Sequence, residues 1–166
     1  TGRQCEEITE RVGPGRLVEI TGNPALTGFQ APKVLWLRDE EPANYERGAH
    51  VLLPKDFVRY RMTGELATDA SDAAGTLFLD LRERRWSSEV LDALDVPAEW
   101  LPTVHEGPEP TGVIAAGVAE ELGPLGEMVV APGELPELAE LREALPGRHL
   151  RDHERPREPD GAVQLD

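Results

Sequence analysis

A chain of 166 residues with 17 Lys and Arg against 32 Asp and Glu carries a formal net charge of −15, which disfavours the clustered basic surface that nucleic acid or an anionic membrane requires. Its length suits one ordinary core, either a single domain or part of a larger one, and no run approaches the roughly 18 apolar residues of a spanning helix. The opening residues lack the basic and apolar regions of a signal peptide, and a lone Cys5 can close no internal disulfide, so a cytoplasmic protein is expected.

In chain order, Gln4 to Val12 reads as a short helix stopped by Gly13-Pro14-Gly15, and Arg16 to Gly22 as a second. That Gly-Pro-Gly has no Lys and Ser/Thr after it, so it is a turn and not a phosphate loop. Ala31 to Glu41 is predicted helical, with Pro32 in its tolerant first turn, and Pro42 starts another helix through Tyr45. Val51-Leu52-Leu53, bounded by Gly48 and Pro54, is predicted as a buried strand. Pro54 then opens a helix whose core-facing stripe is expected to be Phe57, Val58, Tyr60 and Met62, ended by Thr63-Gly64. Alternation at Leu77, Leu79 and Leu81 predicts a strand, and Ser87 caps a helix through Leu94. Ala115 to Leu122 is a further helix, followed by a predicted strand at Met128 to Ala131.

All eight aromatic residues, from Phe29 to Trp100, lie in the first hundred positions, so the packed body is expected there, with Trp36, Phe57 and Tyr60 in its core. Beyond Gly123 come six prolines and no aromatic, and that end is expected to be poorly packed.

Few residues offer chemistry. Cys5 sits beside Glu6 and Glu7, which raise a thiol pKa and argue for packing over nucleophilicity. His149 and His153 are four apart, but interleaved arginines and Pro156 make a zinc site the lesser reading. The segment Thr68 to Thr76 stands out: Asp69, Ser71 and Asp72 among alanines and a glycine, just before a strand. Its carboxylates and hydroxyls suit either a turn held by side-chain to backbone hydrogen bonds or a wall of a sugar-binding cleft.

Three stretches, GFQAPKVLWLRDEEP (28–42), VLLPKDFVRYRMTGELATDASDAAGT (51–76) and LFLDLRERRWSSEVLDALDV (77–96), resemble the FGGY-type carbohydrate kinase family, which includes xylulokinase, glycerol kinase and gluconokinase. Within the family, Leu52-Leu53-Pro54-Lys55-Asp56, Met62-Thr63-Gly64-Glu65 and Ser71 to Thr76 are most similar to the bacterial xylulokinases. Gln30 departs from the family, which has a small hydroxyl residue or proline there.

The resemblance implies a mixed α/β fold, with residues 1–131 part of the N-terminal ribonuclease-H/actin-like ATPase domain and 132–166 a divergent tail. It implies ATP-dependent phosphorylation of a sugar, D-xylulose first and the substrates of gluconokinase, glycerol kinase or ribulokinase as alternatives. MgATP and the sugar are the expected partners of the parent enzyme, with a homodimer compatible and neither nucleic acid nor membrane expected. Asp69, Ser71 and Asp72 are the candidates for the sugar cleft.

No catalytic, cofactor-binding or metal-binding residue is carried over. The family's phosphate-binding Asp-x-Gly-Thr hairpin and C-terminal nucleotide domain have no counterpart in these residues. Its catalytic aspartate follows a Val-Val-Ala strand, and here Val129-Val130-Ala131 leads to Leu135 at that position. This chain by itself is therefore expected to bind MgATP poorly and to lack turnover. A non-catalytic binding module of the same fold is the competing reading. A slip of the reading frame near Ala131 is one hypothesis for the altered continuation; an uninterrupted frame in gene sequence across that region rules it out.

Overall fold

The computed structural model describes residues 1–122. Two helices open the chain, α1 (Gly2–Val12) and α2 (Pro14–Thr21). Gly13 between them has φ of 88°, a conformation that a β-carbon would strain. Its N–H closes α1 on Thr9 O at 3.0 Å, and its carbonyl accepts from Leu17 N at 2.9 Å to begin α2. Each helix buries one stripe, Gln4 and Ile8 on α1, Leu17, Ile20 and Thr21 on α2.

Helix α3 (Gln30–Glu40) buries Ala31, Pro32, Val34 and Leu35, and Pro32 lies in the first turn, where a missing N–H breaks no helical hydrogen bond. A single turn, α4 (Pro42–Tyr45), follows. Helix α5 (Pro54–Thr63) ends on Gly64 at φ 80°, whose N–H caps Tyr60 O at 2.7 Å. Then come β1 (Ala67–Asp69), α6 (Ala70–Ala73), a 3₁₀ turn (Ala74–Thr76), β2 (Leu79–Asp80) and β3 (Arg85–Trp86). Helix α7 (Ser88–Leu94), a 3₁₀ turn (Ala98–Trp100), β4 (Thr103–His105) and α8 (Ala116–Leu122) complete the order.

β1 and β4 pair in parallel, Ala67 opposite Thr103 and Asp69 opposite His105, while β2 and β3 form an antiparallel hairpin. In the hairpin turn Asp80 Oδ1 accepts from the N–H groups of Arg82 and Glu83 at 2.9 and 3.0 Å. The main apolar core joins α1, α2, α3 and α7 around Leu77 and Phe78, through Ile8, Leu17, Leu35, Leu91 and Leu94. Ser87 caps α7 as its sequence predicts, with Oγ accepting from Val90 N at 3.3 Å. Ser87→Ala is expected to cost about 1 kcal/mol, read as a lowered urea midpoint with unchanged slope.

Four expectations are corrected. Val51 to Leu53 form no strand: one hydrogen bond, Val51 N to Trp100 O at 2.8 Å, ties the segment down, and Leu53 is already the extended N-cap of α5. The stripe assigned to the core on α5 faces outward, with Phe57 51% and Val58 56% exposed, while Asp56 and Arg59 are buried. Trp36 is 38% exposed because it lies about 100° round the helix from Leu35, at the edge of the buried face. The strand expected from Leu77 is shortened, since Leu77 has φ of 68° and breaks the extended run before Leu79. The predicted strand at 128–131, the tail, Leu135, His149 and His153 lie outside the described residues.

Candidate functional site

β1 delivers Asp69 to the start of α6. Asp69 is buried, its Oδ1 accepting from Asp72 N at 3.0 Å, so its carboxylate serves as the N-cap of the turn. Ser71 and Asp72 follow on that turn and are exposed. Of the two roles the sequence left open for this segment, turn-holding by hydrogen bonds is thus the one Asp69 fills.

Opposite the turn stands Lys55, in the first turn of α5. Its Nζ donates to Asp56 Oδ1 at 2.6 Å, and it lies 2.6 Å from Asp69 Oδ2 and 3.4 Å from Asp72 Oδ2. Asp56 and Asp69 are almost fully buried, whereas the Lys55 side chain is 34% exposed and Asp72 more so. One ammonium therefore faces three carboxylates, two of them removed from water. Burial pulls the Lys55 pKa down, but the hydrogen-bonding carboxylates of Asp56 and Asp69 outweigh it and leave the ammonium above its ordinary range. Burial likewise pushes Asp69 up, and Lys55 together with the Asp72 N–H reverses this, holding the carboxyl below its ordinary range.

A second cation closes the back of the site. Arg59 is buried one turn along α5 and forks onto Thr111 Oγ1 (3.0 Å) and the carbonyls of Glu65 (2.6 Å) and Ala67 (3.1 Å). Burial lowers its pKa, opposed by the charges of Asp56 and Glu65. The sequence reading missed Lys55, Asp56 and Arg59 as a working group, because an apolar stripe on α5 placed them on the solvent side. The only sequence signal for them was the Pro-Lys-Asp start of that helix.

The arrangement limits the chemistry available. A general base near neutral pH needs a raised carboxyl pKa, and Asp69 is shifted the other way. Nor do the carboxylates form a cation site: among the described residues no group of three or more acidic, His or Cys side chains is arranged to hold a metal, and the Lys55 ammonium stands among Asp56, Asp69 and Asp72. The half-buried Cys5 thiol is pushed up by burial, which suits packing. His105 pairs with Glu109 at 3.2 Å, and His50 is exposed. What the surface does offer is the Ser71 hydroxyl and the Asp72 carboxylate, on a turn made stiff from beneath, a donor and acceptor pair suited to a polyhydroxyl ligand.

Among the described residues no helix is long and apolar enough to cross a membrane. Residues 1–134 match the model of the FGGY family of carbohydrate kinases, N-terminal domain. The chain is similar to the xylulose kinase of Lactococcus lactis, 44% identical over 133 residues, covering 80% of this chain and 26% of that one. Among solved structures it is similar to a xyloylose kinase from Brucella ovis, with TM-score 0.72 and 38% identity over 79% of this chain and 27% of the other. It is also similar to a gluconate kinase from Lactobacillus acidophilus, with TM-score 0.72 and 25% identity over 80% and 27%. The chain spans about a quarter of the length of the curated relatives it matches.

Proposed function

The chain belongs to the FGGY family of carbohydrate kinases, as part of its N-terminal domain, and on that premise we propose that these residues serve a cytoplasmic xylulose kinase. In that reading a hydroxyl oxygen of D-xylulose attacks the γ-phosphorus of MgATP and the bond to the β-phosphate oxygen breaks, giving D-xylulose 5-phosphate and ADP. The hydroxyl proton passes to a carboxylate supplied outside the described residues, because the buried carboxylates here are committed to Lys55. MgATP supplies the phosphoryl group and the charge neutralisation that such a transfer needs. Residues 1–122 supply scaffold, and the exposed Ser71 and Asp72 are their contribution to the sugar side of the cleft.

The observation that carries this reading is the 44% identity to a xylulose kinase over four fifths of the chain. The gluconate kinase likeness favours a second sugar as the alternative. A chimera in which residues 1–134 replace the matching quarter of the Lactococcus lactis enzyme tests both. It is expected to release ADP with D-xylulose and not with gluconate in a coupled assay, while the 166-residue chain alone shows no release above a no-enzyme control. A folded chimera that turns over gluconate in preference overturns the substrate assignment, and a folded chimera inactive on both overturns the kinase role of this segment. In the active chimera, Asp72→Ala is expected to raise KM for the sugar several-fold with kcat little changed, as loss of ground-state binding does.

A further inference from the structure

Beneath the Lys55 network lies a small cavity of about 10 Å³, on the scale of the roughly 10–15 Å³ that one water takes up. Its walls include the apolar side chains of Val51, Leu53 and Trp86, and its polar lining is Gln30, Asp56, Thr68 and Thr76. Two of those polar groups are unsatisfied within the protein: Asp56 Oδ2 and Thr68 Oγ1 are both buried and have no hydrogen-bond partner among the described residues. Such atoms are rare in folded proteins, and each costs on the order of the desolvation of a polar group.

We infer that this cavity is a binding site for a single ordered water, which donates to Asp56 Oδ2 and accepts from the Thr68 hydroxyl. The geometry supplies what a buried water requires, two to four polar partners in a space for one molecule. Thr76 Oγ1 completes the set: it donates to Ala73 O at 2.6 Å and accepts from Phe78 N at 3.0 Å, and a hydroxyl keeps a second acceptor lone pair for the water's other hydrogen. Trp86 contributes no competing donor, since its Nε1–H is spent on Pro102 O at 2.7 Å.

A cation is the wrong occupant. One carboxylate oxygen, two hydroxyls and the Gln30 amide fall short of the six or more oxygens that a hard cation gathers, and the Lys55 ammonium already lies on the other oxygen of Asp56. The water joins the first turn of α5 to β1 at Thr68, the residue before Asp69. It thereby extends the link between helix and turn that Lys55 makes from the solvent side.

Water-selective NMR on the 166-residue chain tests the site. A long-lived water is expected to show a cross-relaxation peak to the Thr68 amide and γ-methyl, and a crystal structure is expected to show one density at about 2.8 Å from Asp56 Oδ2. Thr68→Val keeps the shape and removes the hydroxyl, and should abolish the peak and lower the urea midpoint. No peak in the wild-type protein, a dry cavity in the crystal, or density with the shorter distances of a metal ion overturns the inference. So does a Thr68→Val variant with an unchanged or raised midpoint, the result for a cavity whose lone hydroxyl was merely unpaired. If Thr68→Val does not fold, the wild-type peak and density decide alone.

Discussion

Replacing Lys55 with methionine is expected to destabilise the protein by about 2–3 kcal/mol at neutral pH, read from urea unfolding. Methionine keeps much of the aliphatic stem and removes the charge that Asp56 and Asp69 face at 2.6 Å. Breaking a fully buried pair costs roughly 3–5 kcal/mol because a charge is left without a partner. The smaller figure allows for solvent screening at Lys55, which is a third exposed. The pH dependence separates this cause from lost packing. Asp69 has a folded pKa below its ordinary 3.8, so its contribution is fully present above about pH 4 and is lost as pH falls through the folded value. Lys55 lies above its ordinary 10.5, so its contribution is fully present below that pH and is lost as pH rises through the folded value. The deficit of the Lys55→Met variant should therefore be largest between pH 5 and 9 and shrink towards acid, where the wild type loses the same interaction. A deficit constant from pH 7 to pH 3 would assign the effect to packing.

Local signals in the sequence located the helices well, and long-range ones were beyond its reach. Ser87, Gly64 and the Pro42 and Pro54 starts act through neighbours three or four residues away, so their effect is written where they stand. Periodicity on α5 gave two faces but not which one turns inward. The outcome rests on Glu65, Ala67 and Thr111 presenting oxygens to Arg59, a fact of tertiary placement. β4 has three residues, too few for a period of two to show, and its register is set by β1 some 36 positions earlier. The same limit applied to the candidate site. Asp69, Ser71 and Asp72 drew notice by composition, yet the residue that organises them, Lys55, belongs to another element. The aromatics marked the packed part of the chain only in part: Phe78 is fully buried, while Phe57, Trp36 and Tyr60 keep much of their surface exposed.

Arg59→Met should cost about 3 kcal/mol, and its signature should be local as well as global. The guanidinium is nearly inaccessible and satisfies the carbonyls of Glu65 and Ala67 along with Thr111 Oγ1. A hydrogen bond to a charged group contributes about 1.5–3 kcal/mol, and a buried acceptor left without its donor adds the cost of desolvation. Methionine fills part of the volume and donates nothing, so the Glu65 and Ala67 carbonyls lose this donor. The segment from Thr111 to Ala115 is held to α5 both by this fork and by Ala115 N to Met62 O at 2.8 Å. Removing the fork should raise hydrogen exchange at the Ala115 amide well before the core amides of α1 and α7 respond, because opening this segment does not require the apolar core to open. Arg59→Lys should restore little, since a single ammonium cannot reproduce the planar fork that reaches three oxygens in different directions. Full recovery with lysine, or exchange that rises equally everywhere, would show that charge in the field of Asp56, and not the geometry of the fork, is what Arg59 supplies.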